Sequence, residues 1–337
     1  MKKTEKVLSL CVLIFLLTTG TAFTEEKANL KDLHAAVDSF STSIAKSLPF
    51  NSTIGLNWSD AYIGQLVGIP PHFGFGTTFG ITTLDIALMN NLLKHFESEV
   101  LFDFEIPDWF GLPLPAITAD FRIGGFILPF DIGFKIAYLD SSNWGLLNEF
   151  TPFGLEYMLI GGDVRYALID RRLVKLSLGL GFNHLGGVFS ITGPDGVKPF
   201  YFEVEETEYS ISVNNPNVSL AWQTNNIELK TQVSFIHFIV TPYVGLGLGY
   251  GWSKAGYKVN GRVDGNTSQF KEHLSSLGIT NFTEAVGFES IMDVSDFNMR
   301  AFGGLSLNLA VFKFDFTAMY NILGNNFGAT FGMRFQL

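Results

Sequence analysis

Few residues of this chain could do chemistry, and they do not gather. The six histidines stand at 34, 72, 95, 184, 237 and 273, with no two spaced to share a metal ion. His184 sits in Asn183-His184-Leu185-Gly186, near a strand end and close to serines. A hydrolase would need that ring to activate a serine while a third group orients it, and a histidine beside a serine is not yet such a set. Glu203, Glu205, Glu206 and Glu208 could hold calcium, or could simply form a solvated acidic loop. Gly245, Gly247, Gly249 and Gly251 alternate along one face of a strand, whereas a phosphate-binding loop runs into a helix bearing its lysine. The expectation is a protein that is not an enzyme, with no catalytic residue, metal or cofactor.

The charged residues are better ordered. In stretch after stretch they take alternate positions opposite large apolar side chains. Ile117, Ala119, Phe121 and Ile123 oppose Asp120 and Arg122; Phe130, Ile132, Phe134 and Ile136 oppose Asp131 and Lys135. Val164 and Tyr166 oppose Asp163 and Arg165; Leu176, Leu178 and Leu180 oppose Lys175 and two glycines. Ile227 and Leu229 oppose Glu228 and Lys230; Met299 and Ala301 oppose Arg300. Phe312, Phe314 and Phe316 oppose Lys313 and Asp315, and Met333 and Phe335 oppose Arg334. Successive side chains of a strand face opposite sides, so each strand has a hydrocarbon face and a polar one.

Parity alone does not say which face is outside. A closed sheet of about twelve strands has a lumen too wide for apolar side chains to fill. Charges of both signs can pair in an aqueous lumen, whereas an outward Arg or Lys would cost about 2–4 kcal/mol near a bilayer midplane. The hydrocarbon is therefore placed outside, with Tyr138, Tyr166, Tyr250, Trp252 and Tyr320 near strand ends, where aromatic girdles belong. The interior then carries eight bases (Arg122, Lys135, Arg165, Lys175, Lys230, Arg300, Lys313, Arg334) and five acids (Asp120, Asp131, Asp163, Glu228, Asp315). That balance points to a preference for anionic or amphiphilic solutes, or else to a braced wall without selectivity.

Composition fits. The chain has 337 residues, 47% hydrophobic and 16% charged, with 34 phenylalanines and 35 glycines, against about 25% charged in ordinary soluble domains. Beyond the N-terminus no unbroken apolar run reaches the roughly 18 residues of a spanning helix. At the N-terminus Lys2, Lys3 and Lys6 precede an apolar run over 7–17 and then Gly20-Thr21-Ala22, which reads as a secretory signal peptide over 1–22. The one cysteine, Cys11, would leave with it, so no disulfide is expected. Loss of three lysines and Glu5 takes the formal charge from −10 to about −12, a poor basis for binding nucleic acid.

Residues 29–48 place Leu30, Leu33, Val37, Phe40, Ile44 and Leu48 at helical spacing, with Pro49 as terminator. This amphipathic helix, within 23–49, belongs at the inner mouth of a barrel or inside it as a plug. The barrel is assigned to 50–337. Its first strands are expected over 51–58 and 61–68, and the next from His72. Residues 82–115 read as a long loop with its own helix over 83–96. A bulge is expected within 223–226, where the parity of Leu220 and Trp222 departs from that of Ile227 and Leu229. Tight turns near 69–71, 125–128, 168–171, 237–239 and 309–311 alternate with long connections over 82–115, 140–151, 186–217 and 258–292. The count is about twelve strands, with ten as the alternative if the first two lie outside the barrel.

The last strand adds a resemblance. Phe327, Ala329, Phe331, Met333, Phe335 and Leu337 alternate with Gly328, Thr330, Gly332, Arg334 and Gln336. A polar residue, a glycine and two hydrophobic residues two apart, here Thr330, Gly332, Phe335 and Leu337, resemble the closing-strand signature of bacterial outer-membrane β-barrel proteins; Leu337 stands where those usually carry Phe. The resemblance implies an all-β, antiparallel, up-and-down transmembrane barrel in the outer membrane of a diderm bacterium. It also implies outer-membrane lipid as surroundings, and periplasmic chaperones and the barrel-assembly machinery as partners that read those four residues as an assembly signal. With its N-terminal helix and an apolar loop containing Trp109 and Phe110, the chain also looks like long-chain fatty-acid transporters of the FadL type, although their Asn-Pro-Ala plug motif is absent and no ligand residue carries over. The expected function is a passive pore or transporter for small, amphiphilic or anionic solutes. The alternative is a plugged structural or surface-interaction barrel.

Overall fold

The computed structural model describes residues 30–84, 112–140, 153–192, 200–204, 207–211, 217–260, 282–283 and 287–337. The signal-peptide reading, the loop helix beyond Leu84, Trp109, Phe110, Glu205 and Glu206 fall outside them. Helix α1 (Leu30–Asn51) leads to β1 (Phe73–Leu84), β2 (Leu112–Gly124), β3 (Phe130–Asp140), β4 (Phe153–Asp170) and β5 (Val174–Thr192). A small separate hairpin, β6 (Phe200–Val204) and β7 (Thr207–Ile211), carries Glu203 and Glu208. Then come β8 (Asn217–Phe235), β9 (Val240–Asn260), the two-residue β10 (Phe282–Thr283), β11 (Gly287–Leu309), β12 (Phe312–Asn321) and β13 (Asn326–Gln336).

Ten of these strands close into one antiparallel barrel, in the order β1-β2-β3-β4-β5-β8-β9-β11-β12-β13, with β13 returning to β1. The main expectation of twelve strands is thus corrected to the alternative of ten. Residues 51–58 and 61–68 are not strands. Left-handed backbone at Gly55 (φ 83°), Leu56 (57°) and Gly64 (115°) breaks any extended run there, so the alternation of Ile54, Leu56 and Trp58 only mimics a strand. Helix α1 also passes its expected end. Pro49 sits in its last turn, where a missing N–H costs only one backbone bond, and its carbonyl accepts from Asn226 Nδ2 at 3.3 Å.

All of the tight connections but one gather at one end of the barrel, here the turn end. At the other, the loop end, residues 322–325 make a tight turn that the expected alternation of short and long connections did not include. The wall is uneven in height. Strands β12, β13 and β1–β3 have 10–13 residues, about the length that crosses a bilayer, whereas β4, β5, β8, β9 and β11 have 18–23 and rise further at the loop end.

Outward and inward faces are sharply sorted. Phe134 is 57% exposed and Leu248 51%, while Asp131 and Arg122 on the opposite face are 0% exposed. On the tall side the pattern reverses toward the loop end. Leu159, Leu185 and Trp222 point inward and are buried, while Glu156, Gln223 and Lys254 point outward and are exposed. The reversal falls along one row of paired residues, Ile160–His184–Asn225–Trp252–Ser295. The bulge expected within 223–226 does not exist: β8 stays in unbroken register with β5 and β9. What changes there is which side of the wall carries the large apolar side chains. The register shift that does occur lies between β4 and β5, at Ala167/Ile169.

Candidate functional site

The barrel interior is the place where the charged side chains converge, and it is full. Helix α1 occupies its loop-end half. Ile44, Ala45, Leu48 and Phe50 are at most 1% exposed and cluster with Leu159, Leu185, Trp222, Tyr243, Ala255, Phe302 and Met319 from the wall. Of the two placements open from the sequence, inner mouth or lumen, the helix takes the lumen. Below it, residues 52–66 run through the remaining space to the turn end.

That lower segment is tied to the wall mainly through its own backbone. Lys135 Nζ donates to the carbonyls of Ser52 (2.8 Å) and Ile54 (2.5 Å). The amide of Leu56 donates to Asp120 Oδ2 at 3.0 Å, that of Ser59 to Asp315 Oδ1 at 3.3 Å, that of Ala61 to Ser234 Oγ at 3.1 Å, and that of Ile63 to Asp131 Oδ2 at 3.1 Å. Gln232 Nε2 donates to the carbonyls of Trp58 and Ser59 at 2.8 and 3.0 Å, and Lys175 Nζ to that of Tyr62 at 2.9 Å. An irregular buried chain has no ladder to satisfy its polar groups, so wall side chains must do it. Gly55 and Gly64 are where it passes close to its surroundings: a Cβ at Gly55 would lie 2.7 Å from Thr118 Oγ1, and one at Gly64 would strike the His72 ring.

The wall charges also bind one another, across strands. Arg122 reaches Asp131 (2.5 Å) and Asp163 (2.6 Å), and Arg165 reaches Asp131 (2.8 Å). Lys230 pairs with Asp163. Arg300 holds Glu228 through two bonds, of 2.5 and 2.9 Å. Arg334 Nε lies 2.8 Å from Asp315. The thirteen interior charges read from the sequence are therefore all on the inner face, where they serve as partners of one another and of the plug. Lys175 and Lys313 are the least enclosed, with side chains 16% and 14% exposed.

Three partners were missed. Asp60 brings a sixth carboxylate, 2.8 Å from Lys313 and 2.9 Å from Arg334. Trp58 lies under two guanidinium groups, with Arg334 at 4.5 Å and Arg122 at 5.6 Å from its ring centre. Asn57 accepts from Arg300 Nη1 at 3.2 Å. The available signal was polar density: Asn51, Ser52, Thr53, Asn57, Ser59 and Asp60 make a poor lipid-facing strand. The four inner-face glycines of β9 make room for bulk from elsewhere. A Cβ at Gly245 would strike Phe302, at Gly247 Glu228, at Gly249 Asn298, and at Gly251 Pro49 of the plug.

His184 faces outward at the level where the pattern reverses, with Nδ1 at 2.8 Å from Asn225 Oδ1. It borders a groove of about 650 Å³ on the outer wall, which Tyr138, Met158, Gln223, Lys254 and Ile291 also line. No group of three or more potential metal ligands occurs among the described residues. In the closing strand, Thr330 and Gly332 face inward, and the amide of Leu337 donates to the carbonyl of Phe73 at 3.0 Å, helping seal β13 to β1.

No protein-family profile and no curated protein matches the chain. Solved structures that resemble it are bacterial outer-membrane barrels. The outer-membrane protease OmpT of Escherichia coli is 10% identical, with a TM-score of 0.40, over 80% of this chain and 97% of that one. The transport unit of the autotransporter AIDA-I from Escherichia coli is 10% identical, with a TM-score of 0.31, over 88% and 99%. A Pseudomonas aeruginosa FadL homologue is 7% identical, with a TM-score of 0.26, over 88% and 97%. Likenesses this distant lend the chain no activity, substrate or partner.

Proposed function

We propose that this protein is an outer-membrane β-barrel that resides in the membrane plugged, and that it meets its surroundings through the tall side of its wall at the loop end. The observation that carries this reading is the occupation of the lumen by α1 and residues 52–66, with the plug backbone bonded to wall side chains at nearly every step. The outward hydrocarbon, 51% exposed at Leu248 and 57% at Phe134, supports lipid as the surrounding medium. Export by a signal peptide over 1–22, and assembly through Thr330, Gly332, Phe335 and Leu337 by the barrel-assembly machinery, form part of the proposal.

A passive pore for anionic or amphiphilic solutes would require residues 52–66 to leave the lumen. Planar-bilayer recording on the purified full chain separates the two readings. The plugged barrel gives no steady conductance, and solute-loaded liposomes containing it do not leak. A stable ohmic channel from the full chain would overturn the plugged reading in favour of the pore.

A further inference from the structure

The turn end of the barrel is almost without charge. Its connections read Val67-Gly68-Ile69-Pro70-Pro71, Gly125-Phe126-Ile127-Leu128-Pro129, Ile236-His237-Phe238-Ile239 and Leu309-Ala310-Val311. Ile69 is fully exposed, Phe238 88% and Ile127 85%. Among the described turn residues, charge is confined to the β4–β5 connection, at Asp170, Arg171 and Arg172. The loop end of the tall side is the reverse, with Glu156, Gln223, Lys254 and Asp293 exposed on the outer face. Apolar tips therefore ring the mouth everywhere but at the β4–β5 connection, where an end standing in water would carry polar turn residues throughout.

These tips continue the lipid-facing belt without a polar break. On β9 the outward residues run from Trp252 through Leu248 and Val244 to Val240, and then directly into Ile239 and Phe238. From Trp252 to Phe238 the chain descends about 35 Å for strands tilted by roughly 40°. The hydrocarbon layer is about 30 Å thick, and about 40–45 Å with its headgroup layers. With Trp252 at one hydrocarbon boundary, the tips lie inside the opposite headgroup layer, short of bulk water.

We infer that the turn end is itself a lipid-binding surface: its four apolar turns are seated in the headgroup layer of the leaflet on that side, and the Arg171-Arg172 turn alone faces the lipid phosphates. The inference rests on the barrel spanning a bilayer. Continuity with the outer belt selects lipid over a protein partner as the occupant.

The test is nitroxide accessibility in the full chain carrying Cys11→Ser, reconstituted in phosphatidylethanolamine/phosphatidylglycerol vesicles. Labels are placed singly at Ile127→Cys and Phe238→Cys, with Leu248→Cys at mid-wall and Gln223→Cys on the polar outer face as references. Labels at 127 and 238 should collide with oxygen in preference to a water-soluble nickel chelate, with nickel collisions several-fold fewer than at 223. If they collide with nickel as often as the label at 223 while 248 stays shielded, the inference is overturned and the crown is a surface in water. If 248 is also open to nickel, the membrane-spanning reading fails and takes the inference with it.

Discussion

Replacing Asp60 with alanine removes the one carboxylate by which, among the described side chains, the plug grips the wall. Its Oδ2 lies 2.8 Å from Lys313 Nζ and 2.9 Å from Arg334 Nη2, with all three groups largely buried. Deleting one partner of a buried pair typically costs about 3–5 kcal/mol, because the other charge is left uncompensated. Arg334 keeps Asp315 at 2.8 Å, and the Lys313 side chain is 14% exposed, so the low end applies, about 3 kcal/mol. That corresponds to roughly a hundredfold in the opening equilibrium of the plug. Amide exchange followed by mass spectrometry reads it directly, since the amides of Ala61 and Ile63 are held by Ser234 and Asp131. Exchange over 56–63 should accelerate about a hundredfold, with much less change in β8 and β9. Adding Lys313→Met should restore most of the protection, because an apolar side chain of similar volume carries no unpaired charge. Unchanged exchange over 56–63 in Asp60→Ala, or a double variant as loose as the single one, would refute the claim that this contact holds the plug.

Three further outcomes follow from the same geometry. Gly55→Ala forces a side chain onto a φ of 83° and within 2.7 Å of Thr118 Oγ1, so the urea midpoint should fall by the equivalent of about 1–2 kcal/mol. Leu248→Arg should destabilise the reconstituted barrel by about 2–4 kcal/mol, while Gln223→Arg, beyond the reversal row, should stay within about 0.5 kcal/mol; equal losses would place the bilayer boundary elsewhere. In a chain lacking 30–66, Asp60 leaves with the plug and eight interior bases face five acids, so any conductance should show a reversal potential favouring chloride over potassium, and cation preference would remove the idea of a basic lumen.

The sorted wall was legible because an exposed apolar face and an enclosed charged interior put opposite chemistries on alternate residues, as Phe134 and Lys135 show side by side. The plug was half legible. Leu30 to Leu48 announce a helix, but helical spacing says nothing about what surrounds it, and from Ser41 to Asn51 this one is buried at every position but Thr42 and the exposed Lys46. Residues 51–58 were misread because Ile54, Leu56 and Trp58 alternate, although Gly55 sits at a left-handed turn between them, and 61–68 because the chain had to reach the turn at 69–71, although that stretch has no clean parity. The charges were found by parity, but their partners were not. Arg300 lies 72 residues from Glu228, and Arg334 is 274 residues from Asp60, and no local pattern encodes contacts made by closing a sheet.

The misplaced bulge shows why the wall has two chemistries. A strand shifted by one residue exchanges its faces, and hydrophobic burial normally forbids this. Inside a bilayer both faces could be apolar at little cost, so something else must tell inside from outside. Toward the turn end the ion network does so, since Arg122, Asp131 or Glu228 turned outward would meet hydrocarbon. Beyond the row of His184, Asn225 and Trp252 the outside turns mixed, with Glu156, Gln223, Lys254 and Asp293 beside Met158 and Ile291, and Leu185 and Trp222 go inward onto α1. The reversal on β4, β5, β8, β9 and β11 falls on residues joined by strand register, so it traces one boundary around the tall wall rather than five local irregularities. Moving that boundary would require changing both faces of every strand it crosses. On the proposed membrane-spanning reading, the packing of α1 above the row and the ion network below it are two consequences of a single surrounding interface.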